Sequence, residues 1–118
     1  MATVDLDEAV KIAARVLEAL PPDEFTIGSF TWRDAEQTWP YQLTTDRSLV
    51  ARPGSVGFEL ERGDAAGKLV LFAQGFADIL FYNPRTGRER IDTVGLPDAI
   101  DLGQYGDLVR ELVALFDE

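Results

Sequence analysis

Helical periodicity at both ends of the chain, a period of two through its middle and turn residues at short intervals predict an α+β fold. The expected architecture is an antiparallel five- or six-stranded meander with an N-terminal and a C-terminal helix packed on one face. At 118 residues the chain fits a single domain, residues 1–118, that can bury a core without metal or disulfide staples.

The first element is a helix from about Leu6 to Leu20. Asp5 stands as N-cap with Glu8 three residues later in the spacing of a capping box, Asp7 and Glu8 suit the positive end of the helix dipole, and Pro21-Pro22 ends the run. Leu6, Ala9, Val10, Ile12, Ala13, Val16, Leu17 and Leu20 form a broad apolar stripe. Phe25 to Arg33 reads as a strand with a bulge at Gly28, and Tyr41 to Thr45 as a second. Val56, Phe58 and Leu60 alternate with Gly57, Glu59 and Glu61 in a third, and Gly63 to Lys68 reads as a hairpin loop. Lys68 to Gln74 and Phe76 to Tyr82 carry apolar side chains on both faces, the pattern of central strands covered on both sides over part of their length. Asn83-Pro84-Arg85-Thr86-Gly87 is a turn into a more polar strand at about Arg88 to Thr93. The closing helix has Leu102, Tyr105, Leu108, Val109, Leu112, Val113, Leu115 and Phe116 at helical spacing. Gly103 and Gly106 would each weaken it by roughly 1 kcal/mol, which places its expected start near Gly106.

Charge is concentrated in the terminal segments. Residues 1–24 hold six acids against Lys11 and Arg15, and residues 98–118 hold six against Arg110, so these segments carry −4 and −5 of the net −10. A chain of this kind suits a basic protein partner and disfavours nucleic acid. Without His or Cys the sequence offers no Ser-His-Asp or Cys-His site, no zinc site of the usual ligands and no histidine acid or base. Gly54-Ser55-Val56-Gly57 lacks the Lys-Ser/Thr that follows a phosphate loop, and Gly63 to Lys68 is one residue short of one. The expectation is therefore a binding protein without catalytic residues, cofactor or metal. Met1 to Glu8 is acidic where a signal peptide is basic then apolar, and no apolar run reaches the roughly 18–20 residues of a membrane span; the expected location is cytoplasmic.

Four features bear on binding, each with a structural alternative. Trp32, Trp39 and Tyr41, flanked by Asp34 and Glu36, either anchor a partner or cap one end of the core. Glu59 and Glu61 repeat on one strand face, as an acidic binding stripe or a solvated face, and Asp107 and Glu111 carry the acidic field of the closing helix. Asp78, between apolar neighbours in a strand that reads as central, is either a desolvated acid or a residue that sits at a strand edge or is hydrogen-bonded. Arg85, Arg88 and Arg90 either grip an anion or balance Glu89 and Asp92 on a solvated hairpin.

Leu69-Val70-Leu71-Phe72, Gly75-Phe76-Ala77-Asp78, the turn at Asn83 to Gly87 and the acidic amphipathic closing helix together resemble the small immunity proteins of bacterial polymorphic-toxin systems. The likeness is to the TriTu-type family associated with ADP-ribosyltransferase toxins directed at elongation factor Tu, and covers about residues 55–118. The resemblance implies an antitoxin that binds a cognate toxin domain and occludes its active site; it carries over no binding residue. The rival class is a secretion-type chaperone, also small, acidic and α+β, which holds an extended effector segment as a dimer.

Overall fold

The computed structural model describes residues 3–38, 40 and 42–117. Asp5 opens helix α1, Leu6–Glu18, its carboxylate accepting from the backbone N–H groups of Asp7 and Glu8. Glu8 does not close the reciprocal half of a capping box; its carboxylate binds Lys11 Nζ at 3.0 Å. The helix ends two residues before the expected Leu20, ahead of Pro21-Pro22.

The predicted strand at 25–33 is interrupted. Its parts, β1 (Thr26–Ile27) and β2 (Thr31–Asp34), pair in turn with the two halves of one long strand, β3 (Pro53–Arg62). Gly28 keeps a bond to β3, its N–H donating to the Glu59 carbonyl at 2.9 Å, before the chain leaves the ladder. Of the strand expected at 41–45, the structure shows one bridge, Trp32 to Thr44; Tyr41 lies outside the described residues. A short 3₁₀ turn, Arg47–Leu49, capped by Asp46, precedes β3.

From β3 the chain meanders through β4 (Ala65–Phe72), β5 (Ala77–Tyr82) and β6 (Glu89–Val94), each antiparallel to the one before, giving six strands in the order β1/β2, β3, β4, β5, β6. Two residues, Gly63 and Asp64, join β3 to β4, and Gly63 supplies the left-handed φ of +59° at the first central position that a primed hairpin turn uses. In the β5–β6 turn the Asn83 side chain accepts from the Arg85 N–H at 3.0 Å, and Gly87, at φ +76°, donates to the Asn83 carbonyl at 2.8 Å.

The closing helix, α2, runs Leu102–Leu115, four residues earlier than the glycines suggest. Asp101 and Gln104 form a reciprocal capping box that offsets the low helix propensity of Gly103 and Gly106. Gly106 also has a packing reason: a Cβ there would sit 3.2 Å from Ile12 Cγ2, where α1 and α2 cross.

Both helices lie on one sheet face. Val56, Phe58 and Leu60 of β3, Leu69 and Leu71 of β4, and Ala77, Ile79 and Phe81 of β5 meet Ala9, Ala13 and Leu17 of α1 and Tyr105, Leu108, Val109 and Leu112 of α2. Phe116 stands edge-on to both Phe25 and Phe81, at ring-centre distances of 5.6 and 4.8 Å. Gly67 of β4 lets α2 approach, since a Cβ at that position would lie 2.7 Å from Leu112 Cδ1. The α+β fold with terminal helices on one face is therefore as the sequence predicts. Among the described residues neither helix reaches the opposite face of β4 and β5, where Val70, Phe72 and Asp78 are half-buried and Leu80 and Tyr82 exposed.

Candidate protein-binding face

The face opposite the helices is set by strand register. Since side chains alternate, the residues that oppose one another there are Glu61, Ala66, Tyr82 and Glu89 in one row and Glu59, Lys68, Leu80 and Ile91 in the next. A third row holds Val70, Asp78 and Thr93. Leu80 and Ile91 face each other where β5 and β6 exchange no hydrogen bonds, the position at which cross-strand side chains come closest.

These rows enclose a shallow depression of about 440 Å³ lined by Leu80, Tyr82, Ile91 and Ala66, with Glu59, Glu61, Glu89 and Lys68 around them. Its apolar side chains are uncovered: Ile91 is 75% exposed, Tyr82 52% and Leu80 38%. Single exposed apolar residues are ordinary, but three adjoining ones on a flat sheet face form a contiguous patch of the kind that marks interaction sites. Three carboxylates stand against one ammonium in the lining, and that ammonium, Lys68 Nζ, lies 3.9 Å from Glu59 Oε1. Asp78, at the far end, accepts from Thr93 Oγ1 at 2.8 Å; it takes the hydrogen-bonded alternative.

The residues singled out from the sequence do not converge. Glu59 and Glu61 belong to this face. Asp107 and Glu111 lie on α2, across the sheet, where Asp107 pairs with Arg110 at 3.2 Å and Glu111 with Arg90 at 3.5 Å. Glu36 is exposed in the loop after β2. Asp34 has a structural task there: it accepts from the Glu36 N–H at 2.9 Å and the Ala51 N–H at 2.9 Å, and these bonds hold its carboxyl below the usual carboxylate range. Trp39 and Tyr41 lie outside the described residues.

Trp32 requires a correction. It is 4% exposed, opposes Val56 on the helix side of the sheet and belongs to the core, so its ring is not available to anchor a partner. Arg47 covers it, with Cζ 5.1 Å from the ring centre, while donating to Asp7 from Nε at 2.8 Å and Nη2 at 3.0 Å and to the Val50 carbonyl from Nη1 at 2.7 Å. This fork holds the Asp7 carboxyl below its ordinary value and pins the loop before β3 to the first turn of α1.

The arginines of the last hairpin are engaged by the protein. Arg88 Nη1 donates to the carbonyls of Leu115 and Asp117 at 3.1 and 2.8 Å, satisfying the C-terminal end of α2, and Arg90 lies between Asp92 and Glu111 at 3.6 and 3.5 Å.

Leu80, Tyr82, Glu89 and Ile91 are not among the binding residues that the sequence singles out. Leu80 and Tyr82 carry a sequence signal in the two-faced apolar pattern of β5, which reads equally as burial; Glu89 and Ile91, on the polar strand β6, carry none. Among the described residues no group of three or more carboxylates is placed to hold a metal ion, and no helix is long and apolar enough to cross a membrane. Comparison of the chain with protein-family models, with curated proteins and with solved structures finds no match.

Proposed function

We propose that this is a binding protein without turnover, an immunity protein that seats a basic toxin domain on the open face of its sheet and holds it inactive. The observation that carries the binding reading is the uncovered Leu80–Tyr82–Ile91 patch with Glu59, Glu61 and Glu89 around it, in a chain of net charge −10. An apolar centre supplies affinity once water is excluded, and the surrounding carboxylates raise the association rate toward a basic surface and reject an acidic one. The toxin identity of the partner rests on the resemblance of residues 55–118 to polymorphic-toxin immunity proteins.

The test is capture from the source cell with the wild-type chain and with the double variant Leu80→Ser, Ile91→Ser, followed by expression of the captured protein alone. Immunity predicts one basic partner in a one-to-one complex, growth arrest when it is expressed alone, and rescue by the wild-type chain but not by the variant. A captured protein that is harmless, or equal rescue by both chains, refutes this reading. The chaperone alternative predicts a dimer of this chain around an unfolded segment, which light scattering of the purified complex separates from a one-to-one assembly.

A further inference from the structure

The two edges of the sheet are unlike. On the first, β1 has only two residues, and the outer side of β2 is occupied: Trp32 N–H donates to the Thr44 carbonyl at 2.7 Å and Thr44 N–H to the Trp32 carbonyl at 3.0 Å. On the second, β6 presents six residues and among the described residues pairs only with β5.

The register of β6 fixes which groups point outward. Asn83 N–H donates to the Arg88 carbonyl at 2.9 Å, so Asn83 and Arg88 are a hydrogen-bonded pair. In an antiparallel ladder such pairs alternate, and Phe81–Arg90, Ile79–Asp92 and Ala77–Val94 are therefore also bonded. The N–H and C=O groups of Glu89, Ile91 and Thr93 then point away from the sheet, and no protein group among the described residues takes them. The side chains of these three residues lie on the open face, beside Tyr82, Leu80 and Asp78.

We infer that β6 is a docking edge at which an extended, basic segment of the partner adds as a further antiparallel strand. The inference rests on the binding reading above and specifies its geometry. The residue set opposite Ile91 continues the Leu80–Ile91 row, so an apolar side chain there covers Ile91. Its two neighbours in the added strand point to the helix side: the one opposite Asp92 meets a carboxylate that suits lysine or arginine, and the one opposite Arg90 meets a guanidinium whose charge Asp92 and Glu111 already offset. Strand addition gives affinity through the main chain and specificity through alternate side chains. A second copy of this chain fits less well. Its own Arg90 is already committed to Asp92 and Glu111, and two open faces joined edge to edge would place their carboxylates side by side.

The experiment follows backbone amide exchange by NMR in the full chain, using the capped peptide Lys-Thr-Lys-Val-Lys-Thr-Lys as probe. Without peptide, the amides of Glu89, Ile91 and Thr93 exchange freely while those of Arg90, Asp92 and Val94 are protected. With free peptide at about nine times its Kd, exchange at the three outward amides slows about tenfold. A peptide N-methylated at alternate residues keeps the charge but loses the strand bonds and gives no such protection; a glutamate-for-lysine peptide does not bind. Absence of binding, equal binding of the N-methylated peptide, or protection that rises with protein concentration without peptide each overturns the proposal, the last in favour of self-pairing. If the captured partner binds and leaves the three amides exchanging freely, strand addition falls and the binding reading stands. If the peptide protects them but wild-type chain captures no partner, the edge geometry stands and the binding reading falls.

Discussion

Tyr105→Phe should stabilise this protein. Tyr105 is fully buried on α2, and its hydroxyl has no hydrogen-bond partner among the described residues. A buried hydroxyl that exchanges water for nothing costs about 1–3 kcal/mol. Removing the oxygen vacates on the order of 10 Å³, which at about 24 cal/mol per Å³ returns only about 0.2 kcal/mol of that gain. The expected net is about 1–2 kcal/mol, or roughly 4–8 °C in Tm for a domain of this size, measured by urea and thermal unfolding. Alkali supplies an independent reading. Burial pushes the folded-state pKa of Tyr105 well above the ordinary 10.0, so the unfolded chain releases this proton first as pH rises. The wild type therefore loses stability from this group above pH 10, by up to about 1.4 kcal/mol per pH unit, and the variant does not. The advantage of the variant should widen between about pH 9 and pH 11. A variant less stable than wild type by about 1 kcal/mol, or an advantage flat across that range, would mean that the hydroxyl has a buried partner such as an ordered water.

Arg47→Met should cost about 1–2 kcal/mol through loss of the contact over Trp32 and the bond to the Val50 carbonyl. Because the Arg47 fork holds the Asp7 carboxyl below 3.8, its share of stability is present above that pH and lost as pH falls through the depressed value; the gap between variant and wild type should narrow in acid, and a constant gap would refute the coupling. Gly67→Ala should destabilise by about 1–2 kcal/mol with an unchanged denaturant slope, since the new methyl meets Leu112 and Phe116. Reversing Asp107 and Glu111 to Lys should slow association with the basic partner and flatten its salt dependence, at a cost to the fold of at most about 1 kcal/mol for each of the lost Glu111–Arg90 and Asp107–Arg110 pairs; an unchanged association rate at low salt would assign these acids to solubility alone.

What the sequence made legible follows the physics of each element. Val56, Phe58 and Leu60 alternate strictly because only one face of β3 meets the helices, and their period was readable at once. The two-faced pattern of β4 and β5 was readable too, but burial and a binding surface leave the same apolar mark, and only the placement of both helices on one side separates them. Gly103 and Gly106 misled about the start of α2, because helix propensity is local whereas the capping box and the crossing with Ile12 decide the outcome. Trp32 looked like an anchor through its acidic, loop-like neighbourhood. Its position opposite Val56, visible only once β2 is paired with β3, puts it in the core.

Arg88 gives the last hairpin a mechanical property. Because its guanidinium holds the final carbonyls of α2 while its own carbonyl is bonded to Asn83, the turn that leads into β6 and the end of the helix are fastened at a single residue. A load placed on β6 therefore passes into the helix layer across this fastening as well as through the sheet. Tension on an attached segment would therefore load the C-terminal turn of α2 together with the strand.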